Sequence, residues 1–138
     1  MITGILLAAG AGKRFGGGKL KQVLPNGLAI CVASARNLAA AVDHVIAVVR
    51  PGDNATYSLL AAERNIKIVV CELAEQGMGH SLAATVAASP PNSHWVIALG
   101  DMPLIRPETI GGVVAAIEQG AAFAMPQHNA ERGHPVGI

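Results

Sequence analysis

The sequence predicts an α/β domain in three layers, a mostly parallel central sheet flanked by helices. Short apolar, β-branched runs alternate along the chain with Ala- and Leu-rich segments of helical length, and parallel strands need the crossovers that helices supply. Hydrophobic residues make up 51% of the chain and aromatics only 3%, so the core is built from Ala, Val, Leu and Ile, which let layers pack closely. At 138 residues the chain reads as one domain, 1–138, since a single core commonly spans about 100–200 residues. A charged content of 14% excludes a disordered chain, which needs low hydrophobicity and high net charge.

The first strand is expected at 3–8, an apolar run that ends in a glycine cluster and so reads as buried on both faces. Further strands are expected at 44–49, 66–70, 95–99 and 121–124, each aliphatic and bounded by turn formers. Helices are expected at 29–41, 55–64, 80–88 and 107–119. Pro107 suits the first helical position, where its missing N–H costs nothing; Glu108 then favours the helix dipole, and Gly120 is a natural stop. In a sheet of this kind ligands sit at the carboxyl ends of the strands.

A formal charge of +1 gives no general attraction to nucleic acid or to an anionic membrane. The distribution is more telling. Lys13, Arg14, Lys19, Lys21 and Arg36 all precede the first acid, Asp43, so an anionic ligand is expected near the N-terminal stretch. The longest uncharged stretch, 77–100, is interrupted by Ser89-Pro90-Pro91-Asn92-Ser93-His94 and does not read as a membrane span. No basic residue precedes the apolar run 5–9, so no secretory signal is expected and the chain reads as cytoplasmic. Cys31 and Cys71 stand apart in apolar surroundings without ligand spacing and are expected as buried thiols. His44 and His128 likewise show no ligand spacing, His80 near a helix start reads as a polar surface residue in preference to a ligand or titrating group, and Met78 reads as packing.

The most informative segment is Ala8-Ala9-Gly10-Ala11-Gly12-Lys13-Arg14-Phe15-Gly16-Gly17-Gly18-Lys19. Glycines let backbone N–H groups approach phosphate oxygens, and Lys13, Arg14 and Lys19 supply charge to neutralise a polyphosphate. The dinucleotide fingerprint fails, because Phe15 stands at its third glycine and no acid follows at the required distance. The Walker A pattern fails as well: Leu20 follows Gly18-Lys19, and Lys13 stands where the first glycine belongs. A solvated basic loop is the alternative reading.

Leu99-Gly100-Asp101-Met102-Pro103 places a carboxylate at the carboxyl end of a central strand. Mg²⁺ is held by one or two carboxylates together with substrate phosphates, so Asp101 opposite a phosphate loop has the chemistry required; a turn or cap role is the alternative. Glu75-Gln76-Gly77-Met78-Gly79-His80-Ser81 leads into a helix whose free N–H groups, with Gly77 and Ser81, suit a ribose or phosphate. Near the end, Arg132 offers an anion clamp, or the segment 131–138 is a loop entering an edge strand.

Taken in order, Leu7-Ala8-Ala9-Gly10, Gly12, Arg14, Gly16, Lys19, then Gly77-Met78-Gly79, Ser81-Leu82, then Leu99-Gly100-Asp101-Met102-Pro103, then Arg132-Gly133-His134-Pro135-Val136 resemble the MobA-like NTP transferases, with the molybdenum cofactor cytidylyltransferases nearest. The resemblance implies a Rossmann-like nucleotidyltransferase fold and Mg²⁺-assisted transfer of a nucleoside monophosphate from an NTP to a phosphorylated small-molecule acceptor such as molybdopterin, with pyrophosphate released. It implies that residues from Ala8 to Gly12 contact base and phosphates, that Arg14 and Lys19 hold phosphates, and that Asp101 meets the metal. An Ala-Ala-Gly start, as at Ala8-Ala9-Gly10, resembles the cytidylyl-transferring members and favours CTP over GTP. Related transferases of sugar phosphates or isoprenoid precursors share much of the first loop, and Lys21-Gln22 is faintly similar to the latter. Family members usually continue beyond the Gly-His-Pro-Val segment to a second acidic metal ligand, whereas this sequence stops at Ile138; by that comparison it lacks the family's C-terminal portion, and a nucleotide-binding module without turnover is the competing expectation.

Overall fold

The computed structural model describes residues 1–9, 19–73, 78–91, 94–128, 131–132 and 135–138. The chain runs β1 (Ile2–Ala8), a single 3-10 turn (Lys19–Lys21), α1 (Ile30–Ala39), β2 (His44–Val49), α2 (Asn54–Ala61), β3 (Ile66–Val70), α3 (Met78–Ala88), β4 (His94–Leu99) and α4 (Pro107–Glu118), then three short strands, β5 (Gln127–His128), β6 (Glu131–Arg132) and β7 (Val136–Gly137). β3, β2, β1, β4 and β7 form one sheet in that order, while β5 and β6 pair separately. β1 to β4 are mutually parallel and β7 is antiparallel to β4.

Alternation along the strands decides which residues meet which layer. Leu6 and Ala8 of β1, Ala47 and Val49 of β2, and Val96 and Ala98 of β4 join α1, Leu60 of α2 and Ile110, Val113 and Ile117 of α4 in the main core. On the opposite face Leu7, Ala9, Val48 and Cys71 pack with Ala84 of α3. Helices thus cover both faces, and the central strands are apolar throughout because neither face meets water. Gly4 is where α1 crosses closest: a Cβ there would lie 2.9 Å from both Leu38 Cγ and Val42 Cγ2.

The expected strands at 44–49 and 66–70 are found at those bounds, and those at 3–8 and 95–99 each begin one residue earlier. The strand expected at 121–124 does not form. Residues 121–123 are exposed, and only Ala124 is tied in, through paired hydrogen bonds with Gly137 at 2.9 and 2.7 Å. The fifth place in the sheet belongs to β7, at the antiparallel edge. Gly120, at φ +100°, turns the chain out of α4, and the two alanines that follow offer too little apolar area to drive burial. Gly137 lets α4 lie directly on β7, where a Cβ would come within 2.8 Å of Ile117 Cγ1 and Val113 Cγ1. The helices differ from expectation at their ends: α2 starts after Asp53, whose carboxylate accepts from the Thr56 amide at 3.2 Å, and α3 starts at Met78. Both cysteines are buried and unpaired, as expected. Among the described residues no helix is long and apolar enough to cross a membrane.

Candidate functional site

The strand order fixes where a ligand belongs. From β1 the chain crosses to β2 and on to β3, and α3 then carries it back past β1 to β4 on the other side. Connections diverge between β1 and β4, and in an open α/β sheet the crevice beyond the carboxyl ends of two such strands is the binding site. β1 and β4 run in register, Leu7 opposite Leu99, so Ala8-Ala9 and Gly100-Asp101 leave the sheet side by side.

Gly100 holds this junction closed. Its amide donates to the Leu7 carbonyl at 2.9 Å, extending the β1/β4 ladder by one step. A Cβ at Gly100 would stand 3.1 Å from that carbonyl oxygen and 3.3 Å from Ala8 Cβ, a fit so tight that the neighbours would have to give by a few tenths of an ångström. Asp101 follows on the exposed rim. Ala8 and Ala9 are buried, at 0% and 7% exposure, so what they offer a ligand is main chain.

Two other elements reach the same edge. α3 starts there at Met78, and its Ser81 and Thr85 are buried, with Thr85 Oγ1 donating to the carbonyls of Ser81 and Leu82 at 3.2 and 2.8 Å. A helix start presents free N–H groups and the positive end of its dipole. The turn Lys19–Lys21 sits beside the beginning of α1: the Ile30 amide donates to Gln22 O at 2.9 Å, Val23 bridges Ala29, and Leu20 packs on the main core. Of the residues singled out in the sequence, Leu7, Ala8, Ala9 and Asp101 are therefore gathered at the switch point and Ser81 lies in the first turns of α3. Gly10, Gly12, Lys13, Arg14 and Gly77 lie outside the described residues.

Two residues of this edge are not evident from the sequence. Ser34 Oγ, in the middle of α1, lies 2.9 Å from the Gly100 carbonyl and 2.9 Å from Ile30 O, so its one proton is shared between them. One turn later Asn37 Nδ2 donates to the Pro103 carbonyl at 2.8 Å. Their sequence signal is slight, two small polar side chains three apart in a helix whose other residues apart from Arg36 are apolar.

Among the described residues no group of three or more His, Cys, Asp or Glu is placed to hold a metal. Asp101 is the carboxylate that the described residues bring to this edge. A surface hollow of about 440 Å³ lined by His44, Asn65 and Lys67 lies at the opposite edge, where β2 and β3 begin, away from these groups.

A Rossmann-like sheet with its loop-bearing first strand and an acid-bearing strand at the switch point defines a nucleotide-handling α/β domain. Within that class the chain belongs to the MobA-like NTP transferase domain family, whose model matches residues 4–138. It is 31% identical over 144 aligned residues to nicotine blue oxidoreductase of Paenarthrobacter nicotinovorans, covering 99% of this chain and 70% of that protein. It is 35% identical over 121 residues to the bifunctional protein GlmU of Stenotrophomonas maltophilia, covering 80% of this chain but only 25% of that protein. The crystal structure of Rv0371c from Mycobacterium tuberculosis H37Rv superposes with a TM-score of 0.84 at 24% identity, over 99% of this chain and 70% of that one. A manganese complex of the same protein gives a TM-score of 0.77 at 22% identity, over 99% and 69%. At these identities the likeness to Rv0371c is one of fold.

Proposed function

We propose that this domain transfers a nucleoside monophosphate, CMP from CTP in preference to GTP, to a phosphorylated small-molecule acceptor of the molybdopterin kind, with pyrophosphate leaving. The observation that carries this reading is the adjacency of the end of β1 and the Gly100-Asp101 turn at the switch point. The Ala8-Ala9-Gly10 start supports the preference for CTP.

The reaction is an in-line attack of the acceptor phosphate on the α-phosphorus of the NTP. Two anions must approach one another in a cleft where repulsion is only partly screened, so the chain's task is positioning and charge compensation. Leu7 and the main-chain groups from Ala8 to Gly12 receive base and phosphates. Lys13, Arg14 and Lys19 compensate the phosphate charge, and Gly77 and Ser81 are assigned to the ribose or phosphates. Asp101 holds a divalent cation, Mg²⁺ by preference; bound, it would neutralise phosphate charge and polarise the reacting phosphoryl group.

Pyrophosphate release, followed by a coupled assay with CTP or GTP and a panel of phosphorylated acceptors, tests the reading. Release with CTP that requires both acceptor and Mg²⁺ is the expected result; no release with any pair overturns it. A second reading, nucleotide binding without transfer, is favoured by one observation. The relative from Paenarthrobacter nicotinovorans carries an oxidoreductase's name at 31% identity across almost the whole chain, so nucleotidyl transfer does not follow from the family alone. That reading predicts a thermal shift with NTP and Mg²⁺ and no pyrophosphate.

A further inference from the structure

The segment that displays Asp101 is tied down at both ends by one helix. Gly100 is fixed on its amide side by the Leu7 carbonyl and on its carbonyl side by Ser34 Oγ, each at 2.9 Å. Three residues on, the Pro103 carbonyl is fixed by Asn37 Nδ2 at 2.8 Å. Ser34 and Asn37 are themselves three apart, on one face of α1, so two parallel struts cross from helix to turn. A single strut would let the turn pivot; two fix its rotation as well as its place.

Neither side chain is there for the helix. Asn is a poor residue for a helix interior, and a serine in the middle of a helix is satisfied by the carbonyl four residues back. Ser34 has that local acceptor in Ile30 yet also reaches a carbonyl 66 residues away, and Asn37 spans the same separation. Ser34 is 4% exposed. Without its hydroxyl the Gly100 carbonyl would be left with a buried, unmet acceptor, and the turn would shift to find another donor.

We propose that Ser34 and Asn37 are positioning residues that aim the Asp101 carboxylate at a nucleotide-bound divalent cation. This rests on the reading of Asp101 as the metal-facing carboxylate. The two struts fix the main chain on either side of Asp101, and α1 transmits to the site the rigidity of its packing in the main core.

The test uses the full chain with CTP and Mn²⁺ as probes, reading bound Mn²⁺ by electron paramagnetic resonance and CTP binding in chelator by calorimetry. Ser34→Ala and Asn37→Ala should each weaken Mn²⁺ binding to the CTP complex about 10-fold, the scale for losing a group that orients a ligand, while leaving metal-free CTP binding unchanged. Ser34→Thr, which keeps the hydroxyl, should restore the parent value. In an Asp101→Asn background neither alanine variant should weaken Mn²⁺ binding further, because the carboxylate they aim is gone. Parent-like Mn²⁺ affinity in both alanine variants, or an equal loss with and without the Asp101 carboxylate, overturns the proposal. If Ser34→Ala fails to fold, the half-buried Asn37 decides the matter by the same two measurements. Parent protein that shows no Mn²⁺-dependent CTP binding, or binding indifferent to Asp101→Asn, overturns the functional reading and the positioning role with it.

Discussion

The Gly100 amide donates to the Leu7 carbonyl at 2.9 Å, and this bond brings the two strand ends of the candidate site together. Glycine suits this place, because a Cβ would meet the Leu7 oxygen at 3.1 Å and Ala8 Cβ at 3.3 Å. Gly100→Ala should therefore push β4 away from the end of β1. The expected cost is about 1–3 kcal/mol, the usual range for overpacking a tight site, read as a lower urea midpoint. Mg²⁺-dependent NTP binding should fall as well, since the displaced turn carries Asp101. An unchanged midpoint would show that the strand ends separate freely.

Asp101 stands on the exposed rim, so its loss should spare the fold. Asp101→Asn preserves size and removes charge. Turnover in the pyrophosphate assay should drop about 10²-fold or more, the scale for losing one electrostatic stabiliser at a reacting centre, with the thermal midpoint near that of the parent. Pyrophosphate release at the parent rate would remove Asp101 from the mechanism.

The layers of this fold are legible in the sequence for a simple reason. β1, β2 and β4 are continuous apolar runs because each is covered on both faces, and the intervening segments can only be crossovers. The run 121–124 is also apolar but misleads: it is three alanines and one phenylalanine with no β-branched residue, and β7 already occupies that edge. The position of Asp101 at the carboxyl end of β4 is legible because only Gly100 separates it from an apolar run. Ser34 and Asn37 are not, since each acts on a carbonyl 66 residues distant and no local pattern encodes such a pairing. Gly10, Gly12, Lys13, Arg14 and Gly77 are read from sequence alone, as they lie outside the described residues.

The start of α2 depends on one cap. Asp53 accepts from the Thr56 amide at 3.2 Å, meeting one of the donors that a helix leaves free at its first turn. Asp53→Ala should lower stability by about 1 kcal/mol, the typical value for losing an acidic N-cap, while Asp53→Asn or Asp53→Ser should recover most of it. Urea titration of the three variants checks this. A loss shared equally by all three substitutions would point to the charge of Asp53 and not to the cap.

Cys31 gives the protein a distinct alkaline behaviour. Its side chain lies at 0% exposure within the main core, and burial pushes the thiol pKa up from 9.0 to about 11. The folded state therefore keeps the proton over a range in which the unfolded chain releases it. A group raised in this way contributes its full stability below pH 9.0 and loses it progressively as pH rises through about 11. Urea midpoints of the parent should fall across that window more steeply than those of Cys31→Ala, which lacks the titration although it begins from a lower value through the small cavity left behind. The same burial keeps the thiolate, the reactive form, from forming in the folded protein. A thiol reagent should accordingly modify Cys31 at the rate of unfolding, identifiable by peptide mass mapping. Rapid modification of Cys31 in the folded protein, or parallel pH profiles for parent and Cys31→Ala, would contradict a thiol held protonated by the core.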